Sequence, residues 1–378
     1  MPGPRPARAA APDLPTEGRM AIEAHKLPMN SPADVSALAA LIESGEVDPG
    51  RIVALIGKTE GNGGANDFTR GFATLSYSLL LARHLRATPD EVARRVAFVW
   101  SGGTEGVLSP HATVFVRLAD AASAEEPRLA LGIALTRAFL PEEVGTMVQV
   151  REVAAAVRQA REEAGVTSAA DVHYVQVKGP LLTPAMVADA TRRGARLVTQ
   201  DPNGSKVYAR GATGLGVALG LGELAESAVE DAAIGRKLEL YSSVAHTSAG
   251  GELQHCEILL FGNAPEAGGT LRIGHGVLRD VIDAEGVRAA LRAAGLAEPD
   301  PTRIVALFAK AEAPPGGMLR GRRTTMLSDA DINYERHARA ALGAVIASVT
   351  GDAAIFVSGG TEHQCAPGEA PIAAIVRA

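Results

Sequence analysis

The 378-residue chain has little of several features that mark common protein classes. Its only cysteines are Cys256 and Cys365, so a disulfide framework is excluded, and neither belongs to a zinc-binding pattern; this usage suits the reducing cytoplasm. No apolar run reaches the roughly 18 residues of a membrane-spanning helix, which excludes a membrane span. The formal net charge of -6 argues against a nucleic acid or an anionic membrane surface as partner.

Aromatic residues are also scarce, at 4% of the chain, whereas hydrophobic residues make up 47% and charged residues 21%. This composition predicts a well-packed globular chain of two or three domains, in which close backbone packing matters more than aromatic stacking. Residues 1–22 begin with prolines and arginines and lack the apolar core of a signal peptide. We expect this segment to be a flexible tail.

A short motif, Ser-[Gly/Ala]-Gly-x-Glu, occurs three times, at residues 101–105, 248–252 and 358–362. Upstream of each copy lie an apolar strand that ends in a lysine and a helical stretch that opens with an arginine. The lysines are Lys58, Lys178 and Lys310, and the arginines are Arg70, Arg210 and Arg339. The spacing between these elements varies from copy to copy, which is typical of loop insertions on a shared scaffold. We therefore interpret the chain as three homologous units.

Each unit alternates strands and helices, which predicts an α/β fold. Small, polar and Gly/Pro-marked stretches near residues 123 and 266 indicate the boundaries. The predicted repeat domains are therefore 23–123, 124–266 and 267–378. Further helices are predicted over 32–44, 144–164 and 283–295. Three equivalent units that contact one another head to tail close into a ring with threefold rotation.

The serine, the lysine and the arginine occur in all three units, and this repetition changes how they are interpreted. A single serine before Gly-Gly is typical of a tight turn, but a ring of three units would bring three serines, three lysines and three arginines around one cavity. A serine hydroxyl becomes a nucleophile when a base takes its proton, and turn amides can stabilise the oxyanion that forms. Arginines supply fixed donors for carbonyl oxygens. Such a site suits a small planar molecule with several carbonyl and N–H groups.

The three lysines differ in their predicted surroundings. Two of them are followed at i+2 by a glutamate, and residues i and i+2 share one face of a strand. These pairs are Lys58 with Glu60 and Lys310 with Glu312. A neighbouring carboxylate keeps a lysine protonated. Lys178 has no such neighbour and follows the apolar stretch VHYVQV, so we expect Lys178 to be the neutral base and Ser248, in the same unit, the nucleophile.

The stretches that carry these residues resemble the cyanuric acid hydrolase/barbiturase family of ring-opening amidohydrolases. They are GKTEGNGGANDFTRGFA, VQVKGPLLT, TSAGGELQHCEI, SDADINYERHARAALGA and VSGGTEHQ. The resemblance extends from about residue 25 over nearly the whole remaining chain. It implies three β/α repeat domains with pseudo-threefold symmetry, a central β-barrel-like core surrounded by helices, and a homotetramer.

The resemblance also implies a hydrolase with a Ser248–Lys178 catalytic pair and no organic cofactor. Its substrate would be the cyclic imide cyanuric acid, opened to carboxybiuret and then converted to biuret and carbon dioxide. The alternative is barbituric acid, opened to ureidomalonate. The implied substrate-binding residues are Arg70, Ser101, Gly102, Arg210, Ser248, Ala249, Arg339, Ser358 and Gly359, with Lys58 and Lys310 beside them.

A structural Mg²⁺ or Ca²⁺ in the third unit is a further implication, because the expected donors are oxygens, mostly of backbone carbonyls. The implied ligands are Glu312, Thr361, Gln364, Cys365, Ala366 and Glu369. The chain departs from the expected pattern at Cys365 and Glu369, where we expect glycine. The alternative is a metal-free turn in which Glu312 pairs with Lys310.

Two other functions stay open at this point. A non-catalytic binding protein on the same fold is the first, although unequal lysine surroundings favour an enzyme. An amidase with a linear substrate is the second, but the Ser-rich signature of that family is absent from the sequence.

Overall fold

The computed structural model describes residues 19–122 and 124–378. Most of the predicted tail, residues 1–18, lies outside the described residues, and residues 19–22 belong to the first strand. The helices are α1 (Ser36–Glu43), α2 (Thr69–Leu85), α3 (Pro89–Arg95), α4 (Met147–Glu163), α5 (Pro184–Arg193), α6 (Ser205–Leu221), α7 (Ala284–Ala294) and α8 (Tyr334–Thr350). Among the described residues, no helix combines the length and apolarity needed to cross a membrane.

The strands form three four-stranded sheets and one short hairpin. The first sheet contains β1 (Arg19–Pro28), β2 (Ile52–Thr59), β3 (Ala97–Gly102) and β4 (His111–Ala121). The second contains β5 (Arg128–Leu135), β6 (Val172–Pro180), β7 (Ala245–Gly250) and β8 (Glu257–Ala264). The third contains β9 (Leu271–Leu278), β10 (Ile304–Ala311), β13 (Phe356–Gly359) and β14 (Ala370–Arg377), and the hairpin pairs β11 (Met318–Leu319) with β12 (Arg322–Arg323).

All three sheets have the same strand order. It is β1-β4-β2-β3 in the first, β5-β8-β6-β7 in the second and β9-β14-β10-β13 in the third. In each sheet the strand that carries the lysine, near its C-terminal end, lies between an antiparallel neighbour and a parallel one. The parallel neighbour carries the serine motif. The chain therefore has a mixed α/β fold, as the alternation of elements predicts.

The small residues of α6 allow this helix to approach α4 closely. A Cβ atom added at Gly216 would lie 2.7 Å from the Cβ of Val153, and one added at Gly220 would lie 2.7 Å from the Cβ of Val157. Any side chain at these two glycines would push the helices apart. Close backbone packing of this kind is what the composition predicts, and it fixes the position of Arg210 on α6.

The core that the three sheets share contains several aromatic rings. One hydrophobic cluster takes buried residues from every sheet. Its rings are Phe115, Tyr174, Phe261, Phe308 and Phe356. Tyr174 of the second sheet stacks on Phe308 of the third at 4.6 Å between ring centroids, and Phe115 of the first contacts Phe261 at 5.0 Å. The few aromatic rings are therefore concentrated in the core that the three sheets share, beside the close backbone packing that the composition predicts.

Candidate active site

The strand register brings each motif serine beside the lysine of its own unit. The neighbouring pairs across the parallel strands are Lys58 with Ser101, Lys178 with Ser248 and Lys310 with Ser358. All three lysines are almost completely buried. The side chains of laterally paired residues leave the same face of a sheet, so the fold creates three lysine–serine pairs from strand order alone.

Two of the lysines reach across to another sheet. Nζ of Lys178 donates a hydrogen bond to the carbonyl oxygen of Trp100, at 3.2 Å, and Nζ of Lys310 donates to that of Thr247, at 2.7 Å. Trp100 and Thr247 each precede the motif serine of the neighbouring unit. The lysine–serine pairs of neighbouring sheets therefore lie next to one another.

The first and second pairs differ in their hydrogen bonds. Nζ of Lys58 donates to Oγ of Ser101 at 3.1 Å. Oγ of Ser248, by contrast, is buried and has no hydrogen-bond partner in the part of the chain that the structure describes. Lys178 and Ser248 are therefore neighbours without a direct hydrogen bond. A buried polar atom without a partner is costly, and in this position it marks a hydroxyl that is available to a ligand.

Each predicted arginine pairs with a motif glutamate of a different unit. Arg70 Nε donates to Glu252 at 3.0 Å, Arg210 Nε to Glu362 at 2.8 Å, and Arg339 Nε to Glu105 at 2.9 Å. The first unit thus contacts the second, the second contacts the third, and the third contacts the first. These contacts form a closed cycle, which we call the Arg–Glu ring.

The motif glutamates are site residues that the sequence reasoning missed. They close each copy of the motif, so their recurrence was a signal comparable to that of the lysines and arginines. Nothing local identifies their partners, because the contacts bridge 152 to 234 residues of sequence. The arginines are buried with them: Arg70, Arg210 and Arg339 have exposed fractions of only 3–5%.

The glycines of the third motif make room for two of the arginines. A Cβ added at Gly360 would lie 2.3 Å from Cζ of Arg210, and one added at Gly359 would lie 2.9 Å from Nη1 of Arg339. Gly360 also has a φ of +80°, which favours glycine. The serine turn of the third unit is therefore packed against the guanidinium groups of Arg210 and Arg339.

The prediction that Lys178 alone is free of a carboxylate is wrong. Oε1 of Glu252 lies 3.1 Å from Nζ of Lys178. The two carboxylates expected beside the other lysines lie just past the ends of their strands, so the i+2 rule does not place them on the lysine face. Glu60 is exposed beyond β2, and Glu312 beyond β10 accepts hydrogen bonds from Thr361 instead of pairing with Lys310.

Burial lowers the pKa of all three lysines, because a charged amine loses its hydration there. The pKa of Lys310 falls to about 7 through burial and the nearby Arg210. Burial and Arg339 place the pKa of Lys58 well below its usual value. For Lys178, burial lowers the pKa, while Glu252 acts in the opposite direction. Burial thus favours the neutral amine at each of the three sites.

The expected metal ligands lie around one turn after β13. Oε2 of Glu312 accepts hydrogen bonds from the amide and the hydroxyl of Thr361, both at 3.1 Å, and Oε1 of Gln364 accepts from the amide of Thr247 at 2.8 Å. Within residues 19–122 and 124–378, Glu312 has no ion pair and no cluster of three His, Cys, Asp or Glu residues could hold a metal. The pairing of Glu312 with Lys310 that we considered as an alternative is absent from the described residues.

Comparison with known proteins covers nearly the whole chain. The family model described as "Amidohydrolase ring-opening protein" matches residues 23–377. A protein named "Cyclic amide hydrolase" from Azorhizobium caulinodans is 70% identical over 95% of this chain and 100% of its own length. A "Cyanuric acid amidohydrolase" from Pseudomonas sp. (strain ADP) is 51% identical over 94% of this chain and 99% of its own. "Barbiturase 1" from Nocardioides sp. is 43% identical over 94% and 98%.

Solved structures agree with this result. A structure described as a cyanuric acid hydrolase superposes with a TM-score of 0.91 at 51% identity, covering 95% of this chain and 100% of the other. A second cyanuric acid hydrolase structure, from A. caulinodans, gives a TM-score of 0.88 at 47% identity over 95% and 99% of the two chains.

Proposed function

Because the chain belongs to the family of ring-opening amidohydrolases, we propose that it is a hydrolase that opens the ring of cyanuric acid. The observation that carries this proposal is the convergence of three buried lysine–serine pairs, linked by the Arg–Glu ring, in a chain about half identical to cyanuric acid amidohydrolases. Water adds across one ring C–N bond to give carboxybiuret, which loses carbon dioxide to leave biuret.

Barbituric acid is the second candidate substrate. The barbiturase relative is 43% identical, against 50–51% for several cyanuric acid amidohydrolases. Cyanuric acid has three equivalent carbonyl groups, which matches three similar lysine–serine pairs better than a ring with one CH₂ group. Purified protein should be incubated with each compound, following the loss of ultraviolet absorbance and the appearance of biuret or ureidomalonate. Loss of barbituric acid alone would reverse the assignment.

We propose that residues 23–123, 124–266 and 267–378 are three repeats of one unit around a pseudo-threefold axis, with a barrel-like core. The identical strand order of the three sheets supports this proposal, as does the cluster of buried residues that all three share. The cyclic direction of the Arg–Glu ring is what a head-to-tail interface repeated three times requires. A threefold site would then bind a threefold substrate.

We propose a Ser–Lys mechanism in which Lys178 takes the proton of Ser248 as Oγ attacks a ring carbonyl carbon. The turn amides after Ser248 stabilise the oxyanion, and the proton held by Lys178 passes to the ring nitrogen as the C–N bond breaks. Water then hydrolyses the ester and releases Ser248. The lateral pairing of the two residues, the burial of Lys178 and the unpartnered Oγ of Ser248 support these roles.

The hydrogen bond between Lys58 and Ser101 makes the first unit the second candidate for the catalytic pair. Oγ of Ser101 is engaged by Lys58, whereas Oγ of Ser248 has no partner among the described residues and is open to a ligand. This difference favours a binding role for Lys58 and Ser101. The remaining groups proposed to hold the three carbonyl oxygens are Gly102, Ala249, Ser358, Gly359, Lys310 and the arginines of the Arg–Glu ring.

We propose a structural Mg²⁺ or Ca²⁺ beside Glu312, held mainly by backbone carbonyl oxygens, because the described residues offer no cluster of three acidic, histidine or cysteine side chains there. Burial and the nearby Glu362 raise the pKa of Glu312, and a cation would neutralise this carboxylate. Thr361, Gln364, Cys365, Ala366 and Glu369 would contribute oxygen donors. When bound, the ion would order the turn and take no part in the chemistry, and we propose no organic cofactor. Metal analysis of the purified protein, with melting curves before and after chelation, tests this proposal.

We propose self-association through an apolar stripe formed by α2 and the residue that precedes it. Phe68, Phe72, Leu75 and Leu79 are spaced as one helical face and have exposed fractions of 45–82%. An exposed apolar face of this kind marks an interaction surface, and we propose that it contributes to a homotetramer. Light scattering on the parent and on a Phe68→Ser/Phe72→Ser variant tests this. We also propose a cytoplasmic location, since Cys256 and Cys365 are free.

A further inference from the structure

The three glutamates of the Arg–Glu ring do not make equivalent contacts. Glu105 and Glu362 each give both carboxylate oxygens to one arginine. Glu252 instead uses one oxygen, Oε1, for two cations: Arg70 Nε at 3.0 Å and Lys178 Nζ at 3.1 Å. Among the described residues, neither Glu105 nor Glu362 forms an ion pair with a lysine.

We propose that Glu252 is a positioning residue, which ties Lys178 to Arg70 and makes the middle lysine–serine pair chemically different from the other two. This inference rests on the proposed function and names the group that orients its base. Glu252 acts on the reaction through Lys178 and Arg70.

The hydrogen-bond partners of Nζ of Lys178 support this proposal. A neutral amine has two N–H donors and one lone pair, and an ammonium group has three donors. Two of these positions are taken by acceptors, Oε1 of Glu252 and the carbonyl oxygen of Trp100. When Lys178 is neutral, both N–H groups are engaged by those acceptors and the lone pair is free, in a residue whose lateral neighbour across the strands is Ser248. A free lone pair is what a base for Ser248 requires.

The other two lysines are held differently. Lys310 donates to two carbonyl oxygens, of Thr247 and Gly359, and Lys58 donates to Oγ of its own serine. Lys58 also donates to the carbonyl oxygen of Gly102, at 3.4 Å, and within the described residues neither Lys58 nor Lys310 forms an ion pair. The contact with Glu252 is thus the feature that separates Lys178 from its two counterparts.

Four charged groups face Lys178 from the elements packed around it. Glu252 follows β7, Arg70 lies on α2, Asp67 lies in the loop before α2, and Glu257 pairs laterally with Lys178 from β8. Burial, followed by Arg70, lowers the pKa of Lys178, whereas Glu252 raises it. Removing the charge of Glu252 therefore favours the neutral amine at lower pH.

The test is the pH profile of kcat on cyanuric acid for Glu252→Gln, with Glu105→Gln as the matched control. Glutamine keeps an acceptor oxygen and removes the charge. An opposite charge at this distance shifts a pKa by about 1–3 units, so we expect the acidic limb for Glu252→Gln to move to lower pH by about 1 unit or more. The limb for Glu105→Gln should stay at the parent position. Titration of the substrate is common to all three proteins and cancels in the comparison.

An acidic limb that stays at the parent position in Glu252→Gln, or that moves equally in Glu105→Gln, would overturn the proposal. If Glu252→Gln does not fold, Glu252→Asp replaces it. Aspartate keeps the charge but is too short to contact Arg70 and Lys178 together, so its limb should move in the same direction, and an unchanged limb would again refute the role. Failure of the parent to open cyanuric acid would instead refute the proposed function.

Discussion

The Arg339–Glu105 contact closes the Arg–Glu ring between the third unit and the first, so we expect its loss to destabilise the fold strongly. Both side chains are largely buried, with exposed fractions of 5% and 15%. Removing one partner of a buried ion pair costs about 3–5 kcal/mol, because the other charge is left without compensation. Glu335 still lies 4.0 Å from Arg339, and Arg336 lies 3.7 Å from Glu105, so each remaining charge keeps a weaker partner. We therefore expect the lower end of this range, about 3 kcal/mol of unfolding free energy, for Arg339→Ala and for Glu105→Ala.

The double variant distinguishes a buried pair from two independent contacts. Arg339→Ala/Glu105→Ala leaves neither charge of the pair behind, so it should be more stable than the sum of the single losses predicts, with a coupling of about 1–3 kcal/mol. Urea unfolding measures all four proteins. The matched control is Arg292–Glu285, an ion pair whose side chains are 47% and 61% exposed, and a surface pair of this kind contributes at most about 1 kcal/mol.

Additivity would refute this reasoning. If the two single losses sum to the double loss within about 0.5 kcal/mol, Arg339 and Glu105 do not act as a pair. The Arg–Glu ring would then be three separate contacts with no closing role.

Three further predictions follow from the packing and the charges. Gly220→Ala should lower the unfolding free energy by about 1–3 kcal/mol in urea titrations, because the new Cβ would lie 2.7 Å from that of Val157; an unchanged midpoint contradicts the close α4–α6 packing. Burial and the neighbouring His275 lower the pKa of His173 to about 4. Between about pH 6.5 and 4 the unfolded chain therefore binds more protons than the folded one. The unfolding free energy should fall as the pH falls through that window. Between about pH 6.5 and 4 the unfolding free energy of His173→Gln should fall by about 1–3 kcal/mol less than that of the parent. Equal falls in the two proteins would show that His173 does not cause the loss of stability. Ser101→Ala should keep far more turnover of cyanuric acid than Ser248→Ala, which lacks the proposed nucleophile. An equal loss of turnover in the two variants would favour Lys58 and Ser101 as the catalytic pair.

Much of the fold was predictable from the sequence, because its signals are local. The apolar runs ending in Lys58, Lys178 and Lys310 are strands, and the helices predicted over 144–164 and 283–295 are α4 and α7. The repeated motif predicted three homologous units, whereas the strand order within each sheet came from the structure. Hydrophobic periodicity and repetition carry this information without reference to tertiary contacts.

The electrostatics of the site were predicted poorly, because they depend on contacts between units. Glu60 and Glu312 are close to lysines in sequence, yet each lies beyond the end of its strand. Glu252 is distant in sequence from Lys178 and contacts it through the turn after β7. A contact made by tertiary packing leaves no local sequence pattern. The carboxylate beside Lys178 could therefore be identified only from the structure.

The central claim, that Ser248 is the nucleophile for opening cyanuric acid, is tested most directly by rapid-quench mass spectrometry. The leaving nitrogen stays attached to the opened ring, so the acyl-enzyme should be heavier than the free protein by one whole substrate molecule. We expect this adduct on the peptide that contains Ser248, and its absence from Ser248→Ala together with the loss of turnover. An adduct on the peptide of Ser101, or normal turnover by Ser248→Ala, would contradict the assignment.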